Sequence, residues 1–217
     1  MTKVRTWLDS RGLSLVEILI TIVVAGMVLT LAVNFFLTQS RVYRQQQALS
    51  DLRLACVVAM ERIRSYLTMA GLDPLETGLF GVSEATPTRI SVSMDLNGNG
   101  VVDDSESIRI AWDPAEEKIQ LFYPMLSPRP ARTLLSNVPY FQIAYLDSSL
   151  SVIPSSGPLD EEQRARIRAV DVTIVAKTSE PLPGYTSEGT YPNGVSYKDR
   201  YGRYSMTMRI HLRNLSL

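Results

Sequence analysis

Between Leu13 and Leu37 the chain runs for 25 residues with a single ionisable side chain, Glu17. A helix apolar on every side has no face to offer water. At about 1.5 Å per residue this one is long enough to cross a hydrocarbon layer about 30 Å thick. Lys3, Arg5 and Arg11 precede it against one acid, Asp9, and such a basic flank favours the cytoplasmic side. A secretory signal peptide has a shorter apolar core closed by a small-residue cleavage site; no such site closes this run, so it is expected to stay as a single-pass anchor. Glu17 is then the anomaly, because a carboxylate in hydrocarbon costs roughly 2.5–3.5 kcal/mol even on lenient insertion scales.

Nothing stops the helix at Leu37. The first proline is Pro74, and between Gly26 and Gly71 there is no glycine. Leu49, Leu52, Cys56, Met60, Ile63 and Leu67 recur every three or four residues, with Arg53, Glu61 and Arg64 elsewhere on the wheel, which makes an amphipathic stripe. The expectation is one helix of about 55 residues, about 80 Å long, ending at Gly71.

Beyond it the periodicity changes to two. Ile90, Val92 and Met94 alternate, as do Ile108, Ile110 and Trp112, then Ile119, Leu121 and Tyr123. Phe141, Ile143 and Tyr145 follow, then Val170, Val172 and Ile174, and last Tyr204, Met206, Met208, Ile210 and Leu212. These read as strands of an antiparallel sheet with one face on the helix stripe. Residues 148–168 and 178–203, rich in Ser, Pro, Gly, Tyr and charge, read as surface loops. The fold class is α+β: a long N-terminal helix packed on an antiparallel sheet. Four segments follow: a leader at 1–12, an anchoring helix half at 13–37, an amphipathic half at 38–70 and a β-rich domain at 71–217.

One loop carries ligand chemistry. "DLNGNGVVDDSE" at 95–106 fits the calcium-loop spacing D-x-[DN]-x-[DN]-G-x5-E at Asp95, Asn97, Asn99, Gly100 and Glu106. Asp103 stands at the ninth position, Val102 at the inward apolar one, and the Val101 carbonyl completes the oxygen set. Both flanks are strands, so the frame is strand-loop-strand. The competing reading is a metal-free Asn/Gly turn.

Other residues point away from chemistry. With 22 basic and 22 acidic residues, charge predicts no nucleic-acid partner. Cys56 lies on the buried stripe as a small apolar residue, and a lone cysteine forms no internal disulfide. His211 falls on the polar face of the last strand beside Arg209 and Arg213. No nucleophile accompanies it, which disfavours a signal-anchored periplasmic enzyme. Tyrosines 185, 191, 197, 201 and 204 pack a long loop or form a contact surface.

The stretch "RGLSLVEILITIVVAGMVL" resembles the N-terminal signature of type IV pilins and type II secretion pseudopilins, and "ALSDLRLACVVAMERIRSYLTMAGLDP" is similar, more loosely, to the helix end of PilW-like minor pilins. The resemblance implies a pilin-like fold and a prepilin peptidase that cuts between Gly12 and Leu13 and methylates the Leu13 amine. It also implies that Glu17 is the family's fifth-position glutamate, which meets the N-terminal amine of a neighbouring subunit. Leu13 stands where Phe is commonest, the early helix lacks the kinking proline of many major pilins, and no C-terminal disulfide closes; these departures suit a minor subunit. The expected protein is a structural subunit of the inner membrane with an extracytoplasmic domain, passing into a type IV pilus filament or its tip, with other pilins as partners and one Ca²⁺ as a structural cofactor. A type II secretion minor pseudopilin is the alternative.

Overall fold

The computed structural model describes residues 14–124, 131–154 and 157–215. The chain forms two compact units, one up to Arg44 and one from Gln45 onward.

Helix α1 (Leu15–Met69) provides the first unit and opens the second. Up to Arg44 its residues are exposed, apart from Ser40, which is half-buried. Its most apolar window has a mean hydropathy of 2.6 with none of it buried, so by length and composition it can cross a membrane. The threonine hydroxyls along this part of the helix are satisfied within it: Thr21, Thr30 and Thr38 donate to the carbonyls of Glu17, Gly26 and Asn34 at 2.7, 2.8 and 2.9 Å. An i−4 bond of this kind lets a hydroxyl sit in an apolar helix without exposing an unmet donor.

In the second unit α1 buries Leu52, Cys56, Ala59, Met60, Ile63 and Leu67, the stripe its spacing predicts with Ala59 added and with Leu49 only half-buried. The helix ends at Met69, and the turn after it passes through Gly71, whose φ of +77° is the left-handed conformation glycine adopts without strain.

Two main sheets and a small ribbon follow where one sheet was expected. β1 (Val82–Thr86), β2 (Arg89–Ser93), β3 (Ser107–Asp113), β4 (Lys118–Phe122) and β5 (Arg132–Ser136) form an antiparallel meander in chain order. β6 (Tyr140–Leu146), β7 (Val152–Ile153), β8 (Ala169–Lys177) and β11 (Arg203–His211) make a second antiparallel sheet, ordered β11-β8-β6-β7. β9 (Ser187–Thr190) and β10 (Ser196–Asp199) pair as a ribbon inside the segment expected to be loop. The other expected loop holds β7 and a short helix α2 (Glu161–Ala165) with an Asp160–Gln163 capping box, whose reciprocal bonds satisfy orphan amides at the helix start. One core joins these parts: the α1 stripe meets Ile90, Val92, Ile108, Ile110, Ile119 and Leu121 of the first sheet and Phe141, Ile143, Val170, Val172, Ile174 and Ile210 of the second.

Candidate functional site

Gly12 and Leu13, the expected cleavage and methylation residues, lie outside the described residues. Glu17 sits in the first turn of α1, exposed among exposed apolar neighbours. An acid suits a helix N-terminus, where the backbone N–H groups point outward. Among the described residues no side chain bonds its carboxylate.

The loop from Asp95 to Glu106 joins β2 to β3, which gives the expected strand-loop-strand frame. Two acids are its buried framework: Asp95 and Glu106 are each 1 % exposed. Asp95 accepts from the backbone N–H of Gly98 at 2.6 Å and of Gly100 at 2.9 Å. Glu106 accepts from the N–H groups of Leu96, Asn97 and Asp103 at 2.8, 3.2 and 3.0 Å. The half-buried Asp103 draws two side chains together, taking Nδ2–H bonds from Asn97 at 2.7 Å and Asn99 at 2.9 Å. Gly100 turns the chain at φ +73°, and a Cβ there would press on Leu75 and Thr77. Val102 is half-buried and Val101 exposed.

Asp95, Asn97, Asn99, Asp103 and Glu106 therefore belong to one connected network. Among the described residues no three carboxylate, imidazole or thiolate groups gather closely enough to hold a metal alone. An ion here would depend as much on neutral oxygens, from Asn97, Asn99 and the Val101 carbonyl, as on the acids. The donor set fits Ca²⁺, which takes six to eight oxygens of mixed charge. In the loop as described, amide N–H groups satisfy the acids, and the Oδ1 atoms of Asn97 and Asn99 accept from the N–H groups of Asn99 and Val101 at 2.9 and 2.8 Å.

The tyrosines separate by burial. Tyr191 packs with Tyr140, Val175 and the half-buried Tyr197. Over them lies Arg203, its guanidinium 3.7 Å from the Tyr197 ring centre, bonded to the Tyr191 hydroxyl at 2.9 Å and bidentate to Asp199 at 2.7 and 2.6 Å. This cluster fastens the β9–β10 ribbon to the second sheet, so Tyr191 and Tyr197 pack the segment rather than coat it. Sequence reasoning missed Arg203, whose signal was an Asp199-x-x-x-Arg203 spacing between the tyrosines. Cys56 is buried, and burial pushes its thiol up to about 11, which removes thiolate reactivity near neutral pH. His211 is exposed at the end of β11.

A type IV-like pilin from Thermus thermophilus superposes with a TM-score of 0.53 at 13% sequence identity, covering 76% of this chain and 96% of that one. The fold is pilin-like. No family model and no curated protein matches the sequence.

Proposed function

We propose that this chain is a structural subunit of a type IV pilus-like filament, a minor pilin of PilW-like kind that acts in priming or entering the filament. One observation carries the reading. Glu17 is a lone acid in the first turn of an otherwise apolar, exposed helix segment, attached to a pilin-like domain. After a cut between Gly12 and Leu13, the methylated Leu13 amine brings a positive charge into the same apolar layer. Neither charge is tolerable there alone. Glu17 of one subunit pairing with the amine of the next neutralises both and sets the axial register. Before assembly the Leu13–Leu37 run anchors the subunit in the inner membrane with its β-rich domain outside the cytoplasm. The Asp95–Glu106 loop holds one Ca²⁺ as a structural ion, supported by its spacing and by the mixed oxygen donors that its folded frame carries.

The test is Glu17→Val, which removes the charge and keeps the apolar surface. The variant should be inserted and processed as before, while recovery of other pilins in pull-downs from detergent extracts of the native host falls strongly, because one amine is left unpaired. Recovery equal to that of the unaltered protein would refute electrostatic docking.

A further inference from the structure

The end of the apolar run is chemically unlike the run itself. After Leu37 the helix continues through Thr38, Gln39 and Ser40 to Arg41, Val42, Tyr43 and Arg44. From Ile18 to Ser50 there is no acid, and Arg41 and Arg44 are the only cations. Both arginines and Tyr43 are exposed. Arg44 bonds within the helix, its Nε–H donating to the Ser40 carbonyl at 3.4 Å. Among the described residues no acid pairs with either guanidinium.

Spacing on the helix makes the two cations one site. Residues three apart lie on the same side, about 5–6 Å apart at Cβ, and like charges so placed repel unless an anion joins them. Depth then says which anion. A bilayer's hydrocarbon core is about 30 Å thick, and its headgroups add about 5–8 Å on each side. At about 1.5 Å per residue Arg41 and Arg44 stand roughly 6 and 10 Å beyond Leu37, and helix side chains lean toward the N-terminus, here back toward the bilayer. With Leu37 at the hydrocarbon edge, both guanidiniums come to phosphate level. Phe35 and Phe36, exposed on the same helix, fall just inside that edge and Tyr43 outside it, so the phenol meets the wet side that suits its hydroxyl.

We propose that Arg41 and Arg44 form a headgroup clamp for an anionic phospholipid in the leaflet away from the cytoplasm, an inference that rests on reading the Leu13–Leu37 run as a membrane anchor. A guanidinium presents a planar fork of donors that matches phosphate oxygens. Two of them favour a lipid of net negative charge over a zwitterionic one, whose own ammonium competes. The cut read between Gly12 and Leu13 sharpens the role: it takes Lys3, Arg5 and Arg11 away with the leader. The mature anchor then keeps basic side chains at its far flank alone, and the clamp fixes its depth. A second copy alongside in the same membrane is the poorer occupant. Of its acids nearest in sequence, Glu17 stands about 36 Å down the helix from Arg41, and Asp51 is seven residues beyond Arg44 and already bonded by Gln47.

The test uses the full chain in nanodiscs of equal parts phosphatidylcholine and phosphatidylglycerol, with mass analysis of the lipids that stay on the protein after release. Phosphatidylglycerol should be retained over phosphatidylcholine by roughly fivefold or more, the factor that one cation gives near an anionic surface. Arg41→Gln combined with Arg44→Gln should return retention to the disc's own ratio, and each single variant should fall between. Arg62→Gln, at an exposed arginine farther along α1, should change nothing. Flotation with phosphatidylcholine vesicles separates the clamp from the anchor, because the chain and the double variant should both float. A chain that does not float refutes the anchor and the clamp with it. A chain that floats but retains both lipids equally, a double variant that keeps the preference, or an equal loss in Arg62→Gln overturns the clamp alone. Preference lost to millimolar inorganic phosphate at constant ionic strength would also overturn it and assign a small-anion site.

Discussion

The hydroxyl of Tyr145 in β6 lies 2.8 Å from the carbonyl of Thr86 at the end of β1. It also reaches the Arg89 carbonyl at 3.0 Å, so one fully buried phenol ties the first turn of one sheet to the centre of the other. Burial is the main reason its ionisation is pushed well above the ordinary tyrosine range; it acts as a donor throughout the physiological range. Tyr145→Phe keeps the ring and removes a buried donor from two carbonyls, which costs about 0.5–1.5 kcal/mol. A fall of roughly 2–4 °C in melting temperature per kcal/mol should appear in thermal unfolding. An unchanged melting temperature would show that the seam does not depend on this bond.

Asp199 gives the domain an acid-sensitive contact. Its side-chain bonds to the Arg203 guanidinium hold the carboxyl down at about 2, against about 3.9 for an unfolded aspartate. A depressed folded value means the contribution is present above about pH 4 and is lost as pH falls toward 2. Asp199→Asn should lower stability at neutral pH and flatten the decline between pH 4 and 2. Melting curves across that range check it, and identical acid limbs would assign the decline elsewhere.

Calcium should raise the melting temperature of the protein by mass action on the folded state. With two ligand positions occupied by asparagine, affinity should resemble that of extracellular modules, Kd on the order of 10⁻⁴–10⁻³ M. A rise in millimolar Ca²⁺ but not in Mg²⁺ or EDTA, absent in Asp103→Ala, supports the site. Asp103 is the informative position because Asp95 and Glu106 also cap buried amides, and their loss unfolds the turn whether or not metal binds. Three superimposable curves would leave 95–106 a hydrogen-bonded turn alone.

Processing is read by mass. Gly12→Val places a branched side chain where the peptidase is expected to require the smallest one, so uncut precursor should accumulate in the membrane. Intact-mass analysis of the unaltered protein should show a methylated chain beginning at Leu13; a mature form still starting at Met1 would remove the basis for the Glu17 pairing.

What could be read from residues alone follows how each element is buried. The α1 stripe and β2, β3, β4, β6, β8 and β11 each set one periodic face on the core, so spacing located them. β1 and β5 escaped because they lie at sheet margins: each buries one residue, Ala85 and Leu135, and one buried position makes no alternation. β9 and β10 escaped because neither buries a residue and two members of the cluster that fastens them, Tyr191 and Arg203, lie outside the strands. Division into two sheets was illegible since periodicity reports a face and not a pairing partner. The loop residues 95–106 were legible as oxygen donors. Their backbone partners were not, because an amide N–H carries no residue identity.

The last described residues close back on the helix: Asn214 donates through Nδ2 to the Thr68 carbonyl at 3.3 Å and the Ala70 carbonyl at 3.5 Å, contacts that span 146 and 144 positions of sequence. Contacts this distant in sequence are the slowest to form. A ribosome or translocation channel that still holds residues 203–215 withholds β11 and this clasp together. Ile210 and Leu212 are then missing from the core that the helix stripe shares with both sheets, and the domain matures only after that stretch has emerged.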